Sequence, residues 1–155
     1  MTSPATNEAV RRLRKGLPME KGPRDLRVRI DFFDLRRKDK GRGRFILEVP
    51  NEFKGINGKV EFGFAWFSIY YKQGIRHNFK IEAKSAVLWD IKIHQEEWRR
   101  KGIGFELLGF MKEVAKSRGA ERFYAHYVKP ESEGFFVKAG FAPTVDPIWW
   151  ILKEF

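Results

Sequence analysis

The chain contains no cysteine among its 155 residues, which excludes a disulfide framework, a thiolate nucleophile and a cysteine-type zinc site. Its three histidines, His77, His94 and His126, show no paired metal spacing, so no metal is expected. Long apolar runs are missing too. None approaches the roughly 18 residues needed to cross a bilayer, and the start MTSPATNEAVRRLRKG lacks the apolar stretch of a secretory signal. A soluble, cytoplasmic protein is the expectation. Side-chain amides are few, and with 33% charged residues the composition fits a protein from a hot environment.

What is present is material for one core. Apolar residues make up 43% of the chain and aromatics 15%, at a length typical of a single domain of roughly 100 to 150 residues. The net charge is +11 and unevenly spread. Between Arg11 and Arg44 there are 14 Lys/Arg against 5 Asp/Glu, whereas Ile103 to Phe155 carries 7 of each. Such a patch suits a polyanion partner or, equally, a solvated surface that keeps the protein dissolved.

Residues 1 to 25 mix Pro, Gly and charge around one short helical candidate at Glu8 to Lys15, and read as a flexible basic arm before a single domain over residues 26–155. Leu26 to Phe32 alternates apolar and charged residues, the period of a half-buried strand. Arg36 to Arg44, with Gly41 and Gly43, is expected to be a turn. Phe45 to Val49 is a second strand, and Asn57-Gly58 signals a hairpin into a third from Val60 to Tyr71. A long extended stretch follows from Phe79 to Ile93. The period then changes. Ile103, Leu107, Leu108, Met111, Val114 and Ala115 recur every three or four residues, predicting an amphipathic helix that ends before Gly119. Arg122 to Val128 reads as a strand with Phe123, Ala125 and Tyr127 on one face. Pro130 opens a short helix through Lys138, and two strands, Phe141 to Val145 and Ile148 to Phe155, finish the chain.

The segment that carries chemistry is Trp98-Arg99-Arg100-Lys101-Gly102-Ile103-Gly104-Phe105, between a strand and the long helix. Such a loop aims backbone N–H groups and the positive end of a helix at one spot, glycines allow close approach, and three adjacent cations add charge-assisted hydrogen bonds. That arrangement suits a pyrophosphate. A basic turn whose glycines merely satisfy a tight connection would look the same in isolation.

Arg99-x-x-Gly102-x-Gly104 resembles the Arg/Gln-x-x-Gly-x-Gly/Ala signature of the GNAT superfamily of N-acetyltransferases, and Phe135 to Phe141 resembles the Gly-Phe ending of that family's last helix. Trp89 to Ile93 is similar to the family's fourth strand, whose bulge bonds the pantetheine arm. The resemblance, over about Ser85 to Phe155, implies an α+β fold. A mixed, mostly antiparallel sheet would carry a long cofactor-binding helix and a short C-terminal helix. The family's first-half helices would be reduced or absent, since Phe33 to Phe45 is too short and too charged to hold them. It implies acetyl-CoA as cofactor, held by Ile91 and Ile93, by Arg99, Arg100, Lys101, Gly102, Ile103, Gly104 and Phe105, and by Lys129, Ser132 and Phe136. The implied reaction is direct attack of an amine of unspecified identity on the thioester. Asp90 stands at the family's acidic position and is the first candidate base, with Glu82, His94 and Glu97 in reserve. Phe136 replaces the tyrosine many members use as acid, which leaves Tyr127, Tyr124, Ser132 or water. A catalytically inactive coenzyme-binding member is one alternative. The other is a nucleic-acid-binding protein, using Arg27, Arg29, Arg36, Arg37, Arg42 and Arg44 with Phe32 and Phe33.

Overall fold

A computed structural model of the chain describes residues 4–34, 39–50 and 58–155. Helix α1 (Pro4–Lys15) is followed by β1 (Leu17–Pro18), β2 (Arg27–Asp34), β3 (Lys40–Pro50) and β4 (Lys59–Tyr70). Next come β5 (Gly74–Arg76), β6 (Phe79–Ile81), β7 (Ser85–Ile93), α2 (Ile103–Ser117) and β8 (Arg122–His126), and then α3 (Glu133–Lys138), β9 (Phe141–Pro143) and β10 (Trp149–Leu152). One sheet runs in the order β1, β2, β3, β4, β7, β8, β10, β9. Among the described residues only β7 and β8 pair in parallel within it. The mixed, mostly antiparallel α+β sheet expected from the resemblance is what forms.

Alternation along the strands divides the side chains between two faces. On β4, Ala65, Phe67 and Ile69 enter the larger core with the apolar stripe of α2, while Tyr70 joins a smaller cluster with Val87, Tyr124 and Trp149. Helices α1 and α2 cover the first face. The second carries the β5–β6 hairpin, whose Phe79 stacks on Trp149 at 4.8 Å. That hairpin turns through His77 and Asn78, both at positive φ, the signature of a type I′ turn whose twist matches its strands.

The structure departs from expectation in several places. Residues 1 to 25 are not a loose arm over their described length: Val10 and Leu13 are buried in the main core, and Leu17 pairs with Val28. The Glu106 carboxylate accepts the backbone N–H groups of Glu20 and Lys21 at 2.7 Å each, pinning this segment to α2. Gly41 and Gly43 lie inside β3, not in a turn. The long stretch from Phe79 to Ile93 breaks into β6 and β7, which belong to different sheets. β8 stops at His126 because Tyr127 turns to φ +58°, so Tyr127 leaves the face that Phe123 and Ala125 share. β2 and β3 pair directly from Arg27 and Glu48 out to Asp34 and Gly41, and none of the described residues between them is helical. Arg36, Arg37 and Asn57 lie outside the described residues.

Candidate active site

Two features of β7 open a cleft. Opposite β4, Trp66 pairs with Asp90 but Phe67 pairs with Leu88, so Trp89 is an extra, bulged residue. On the other side, pairing with β8 covers only Ser85 to Leu88 against Arg122 to Ala125. Beyond Leu88 the two parallel strands are no longer paired, since β8 stops at His126 while β7 runs on to Ile93, and a gap opens between them. Backbone groups of Trp89 to Ile93 facing that gap have no ladder partner from β8. The gap is the mouth of a cavity of about 940 Å³.

The cleft gathers Asp90, Ile91 and Ile93 from β7; Arg99, Arg100, Gly102, Gly104 and Phe105 from the loop and α2; and Tyr127, Lys129, Ser132 and Phe136 from the segment after β8. Gly102 caps α2 at φ +92° with no side-chain hydrogen bond. An L side chain there would be strained by roughly 1–2 kcal/mol. The first N–H groups of α2 have no intrahelical partner, and they sit at the positive end of the helix dipole. Arg99 Nε donates to the Ile93 carbonyl at 3.0 Å, tying the loop to the strand. Between them the chain makes a 3₁₀ turn, Glu96–Trp98, anchored by Trp98 edge-on to Phe62. Gly104 lets the Phe135 ring lie close, since a Cβ would come within 3.1 Å of it.

Two of the expected site residues do not place their side chains on the cleft wall. Ile103 is buried in the core and can offer only its backbone N–H, because the α2 stripe turns it toward the sheet. Lys101 is exposed and off the cleft wall. Of the other candidates, Tyr124 points into the smaller core, where burial pushes its phenol above the ordinary value. His94 is paired with Glu61 at 3.1 Å. Glu82 pairs with Lys80, and Glu97 is exposed in the 3₁₀ turn; neither lines the cleft. Tyr127, exposed at its rim, is the tyrosine that does. Phe136 is buried against Phe135 and Phe141.

The sequence reading missed His126 and His77. His126 lines the cleft at the end of β8, with its ring 4.7 Å from His77, 5.0 Å from Trp89 and 4.5 Å from Trp149. Burial pulls its pKa below the ordinary imidazole value; His77 adds to the fall and Asp146 opposes it. His77 lines a second cavity of about 400 Å³ on the hairpin face, with Lys40, Arg42, Trp66, Tyr70 and Arg76. Trp89 lines both cavities, its indole N–H donating to Ser68 Oγ at 2.9 Å. The bulged tryptophan and the stacked histidines therefore form the partition between them. Spacing alone could not show this, because 49 positions separate the histidines in the chain.

A sheet that opens beside a bulge, with an uncapped helix start and cations at its mouth, makes a cleft suited to a phosphate-bearing cofactor. A profile of the Acetyltransferase (GNAT) family matches residues 9–141, and the chain belongs to that family. No curated protein sequence matches it significantly. The fold is similar to that of a tyrosine-to-phenylalanine mutant of the AtaT toxin bound to the C-terminus of the antitoxin AtaR and acetyl-CoA. The TM-score is 0.55 at 16% identity, over 80% of this chain and 91% of that one. The same mutant bound to the antitoxin C-terminus alone gives 0.54 at 15% identity, over the same shares of each chain. Nourseothricin acetyltransferase aligns over 98% of this chain and 93% of its own, at 16% identity and a TM-score of 0.44.

Proposed function

We propose that the chain transfers an acetyl group from acetyl-CoA to an amine, the coenzyme lying in the β7–β8 cleft and the amine approaching past Trp89. The observation that carries this reading is the bulge at Trp89 beside the gap between β7 and β8, which opens the sheet at the foot of an uncapped helix. Acetyl-CoA supplies the thioester carbonyl and the thiol leaving group. The free N–H groups at the start of α2, with Arg99 and Arg100, suit its phosphates. Backbone groups of Ile91 and Ile93 suit its amide-bearing arm, and Phe105, Lys129, Ser132 and Phe136 form the opposite wall.

The acceptor amine attacks the thioester carbon, so a C–N bond forms as the C–S bond breaks, and the ammonium proton must go to the protein or to water. His126 is the acceptor this reading favours, because a partly buried imidazole with a lowered pKa is neutral near pH 7 and holds a free lone pair. Asp90, exposed on the same wall one residue past the bulge, attracts the ammonium electrostatically. Phe136 has no proton to give, which leaves Tyr127 or water to protonate the thiolate; a thiol pKa of about 8.5 makes either sufficient.

Calorimetry should find acetyl-CoA binding in the micromolar range, weakened at least tenfold by Gly102→Val. In a thiol-release assay His126→Gln should lower kcat by about 10²-fold, the lower end for a general base, while Asp90→Asn chiefly raises KM for the amine. Absence of acetyl-CoA binding by the unmutated chain sinks the reading. An unaltered kcat in His126→Gln with a collapse in Asp90→Asn moves the base to Asp90.

A further inference from the structure

The second cavity differs from the cleft in what lines its walls. Among the described residues it has three cations, Lys40, Arg42 and Arg76, and no carboxylate. Elsewhere on β2 and β3, Arg29 is paired with Glu48 and Asp31, and Arg44 with Glu61, while Arg27 donates to the Gly16 carbonyl. Lys40, Arg42 and Arg76 have no ion pair among the described residues. Two of them are instead oriented by one ring, with Lys40 Nζ 5.0 Å and the Arg76 guanidinium 4.8 Å from the centre of Tyr70. Arg42 stands directly across from Ser68 on the neighbouring strand. At the rim Trp66 is 42% exposed. Phe32, by contrast, is buried and stacked on Phe67, so it offers no stacking surface to a partner.

Cations with no ion pair among the described residues, beside a part-exposed tryptophan whose ring already lies under the Arg44 guanidinium at 5.3 Å, suit a molecule that carries a phosphate next to a flat ring. They repel a polyamine or a lysine side chain, which would need carboxylates in their place. A cavity of about 400 Å³ lies at the small end of ligand pockets, enough for one nucleotide unit. Its inner wall is Trp89 and His77, the partition from the cleft. Trp89 lines both cavities, so a ligand whose phosphate sits among the three cations is separated from the cleft of His126 and Asp90 by that one side chain.

We infer that this cavity is the acceptor subsite, and that the acceptor is an amine borne on a nucleotide-type molecule, either free or at the end of a nucleic acid strand. The inference rests on the acetyltransferase reading for the amine's fate, but the cavity's preference for phosphate is separately measurable.

The test is calorimetry on the full chain with adenosine monophosphate, adenosine and spermidine, repeated on Arg42→Glu and Arg42→Gln, with acetyl-CoA titrated into each. The nucleotide should bind at least tenfold tighter than the nucleoside, with spermidine silent. Both Arg42 variants should lose at least tenfold for the nucleotide and stay within twofold for acetyl-CoA, which also reports that they fold. Equal affinity for nucleotide and nucleoside, or unchanged nucleotide binding in both variants, overturns the proposal. Thiol release is then measured with aminohexyl adenosine monophosphate, an aminohexyl oligonucleotide and spermidine. Faster turnover of the oligonucleotide assigns the acceptor to a strand end, and of the mononucleotide to a free nucleotide. If neither exceeds spermidine, the cavity is not the acceptor subsite. Loss of acetyl-CoA binding by the unmutated chain would instead remove the transferase reading and leave the nucleotide result standing.

Discussion

His126 has its properties because of what surrounds one ring. The end of β8 supplies the residue, the β5–β6 turn supplies His77, the bulge supplies Trp89, the start of β10 supplies Trp149, and the β9–β10 connection supplies Asp146. With the folded pKa depressed, the unfolded chain binds this proton more readily. The group's contribution to stability is therefore complete above the unfolded value near 6.5 and is lost as pH falls toward the folded pKa. Thermal melts of the wild type between pH 8 and 5 should fall more steeply than those of His126→Asn. Parallel slopes would mean the ring is effectively solvated. The same protonation should end turnover, so the acid limb of kcat should lie below the ordinary imidazole pKa.

At the scale of an element, β3 shows why composition misleads. Three residues of the Lys40 to Arg44 run are cationic and two are glycine, the usual marks of a turn, yet the segment is a strand. Phe67 on β4 needs space directly opposite, and a Cβ at position 43 would lie 2.2 Å from its ring. The ring also stacks on Phe32 at 5.8 Å and tilts against Phe45 at 5.3 Å, so it cannot withdraw freely. Glycine in a strand here marks close approach rather than a bend. Gly43→Ala should cost about 1–3 kcal/mol through overpacking, a loss of several degrees in Tm for a chain of this size. Adding Phe67→Leu should recover part of it. A double mutant simply additive in its losses would show that the two positions are not coupled.

On the scale of the whole molecule, α1 and the segment behind it act as a third side of the core. Val10 and Leu13 are 4% and 3% exposed. Arg14 donates to the Phe32 carbonyl at 2.9 Å, and Glu106 holds the backbone at Glu20 and Lys21 beside the start of α2. Burying each of the two aliphatic side chains contributes roughly 1.5–3 kcal/mol, a large share of a typical total of 5–15 kcal/mol. A chain beginning at Gly16 should melt at least 10 °C lower and bind acetyl-CoA more weakly. An unchanged melt would restore the detachable arm that composition suggested.

The sequence by itself determined the elements whose signal is local: the 3.6-residue stripe of α2, the alternation of β2 and β8, and the glycine loop at the helix start. Each of these depends on neighbours a few positions away, which is where periodicity and φ preferences act. It also carried the family, through Arg99, Gly102, Gly104 and the Phe135 to Phe141 ending. Tertiary structure alone decided the rest. Trp89 becomes a bulge only when β4 and β7 are paired, and the gap beside β7 exists only because β8 stops at His126 while β7 runs on to Ile93. His77 meets His126 only across two strands and a hairpin. Whether a cation is free or compensated depends on which carboxylate the fold brings within about 4 Å, as Glu61 is brought to Arg44 and none among the described residues is brought to Arg42. Contacts between residues far apart in the chain are set by sheet order and register, and no local pattern encodes either.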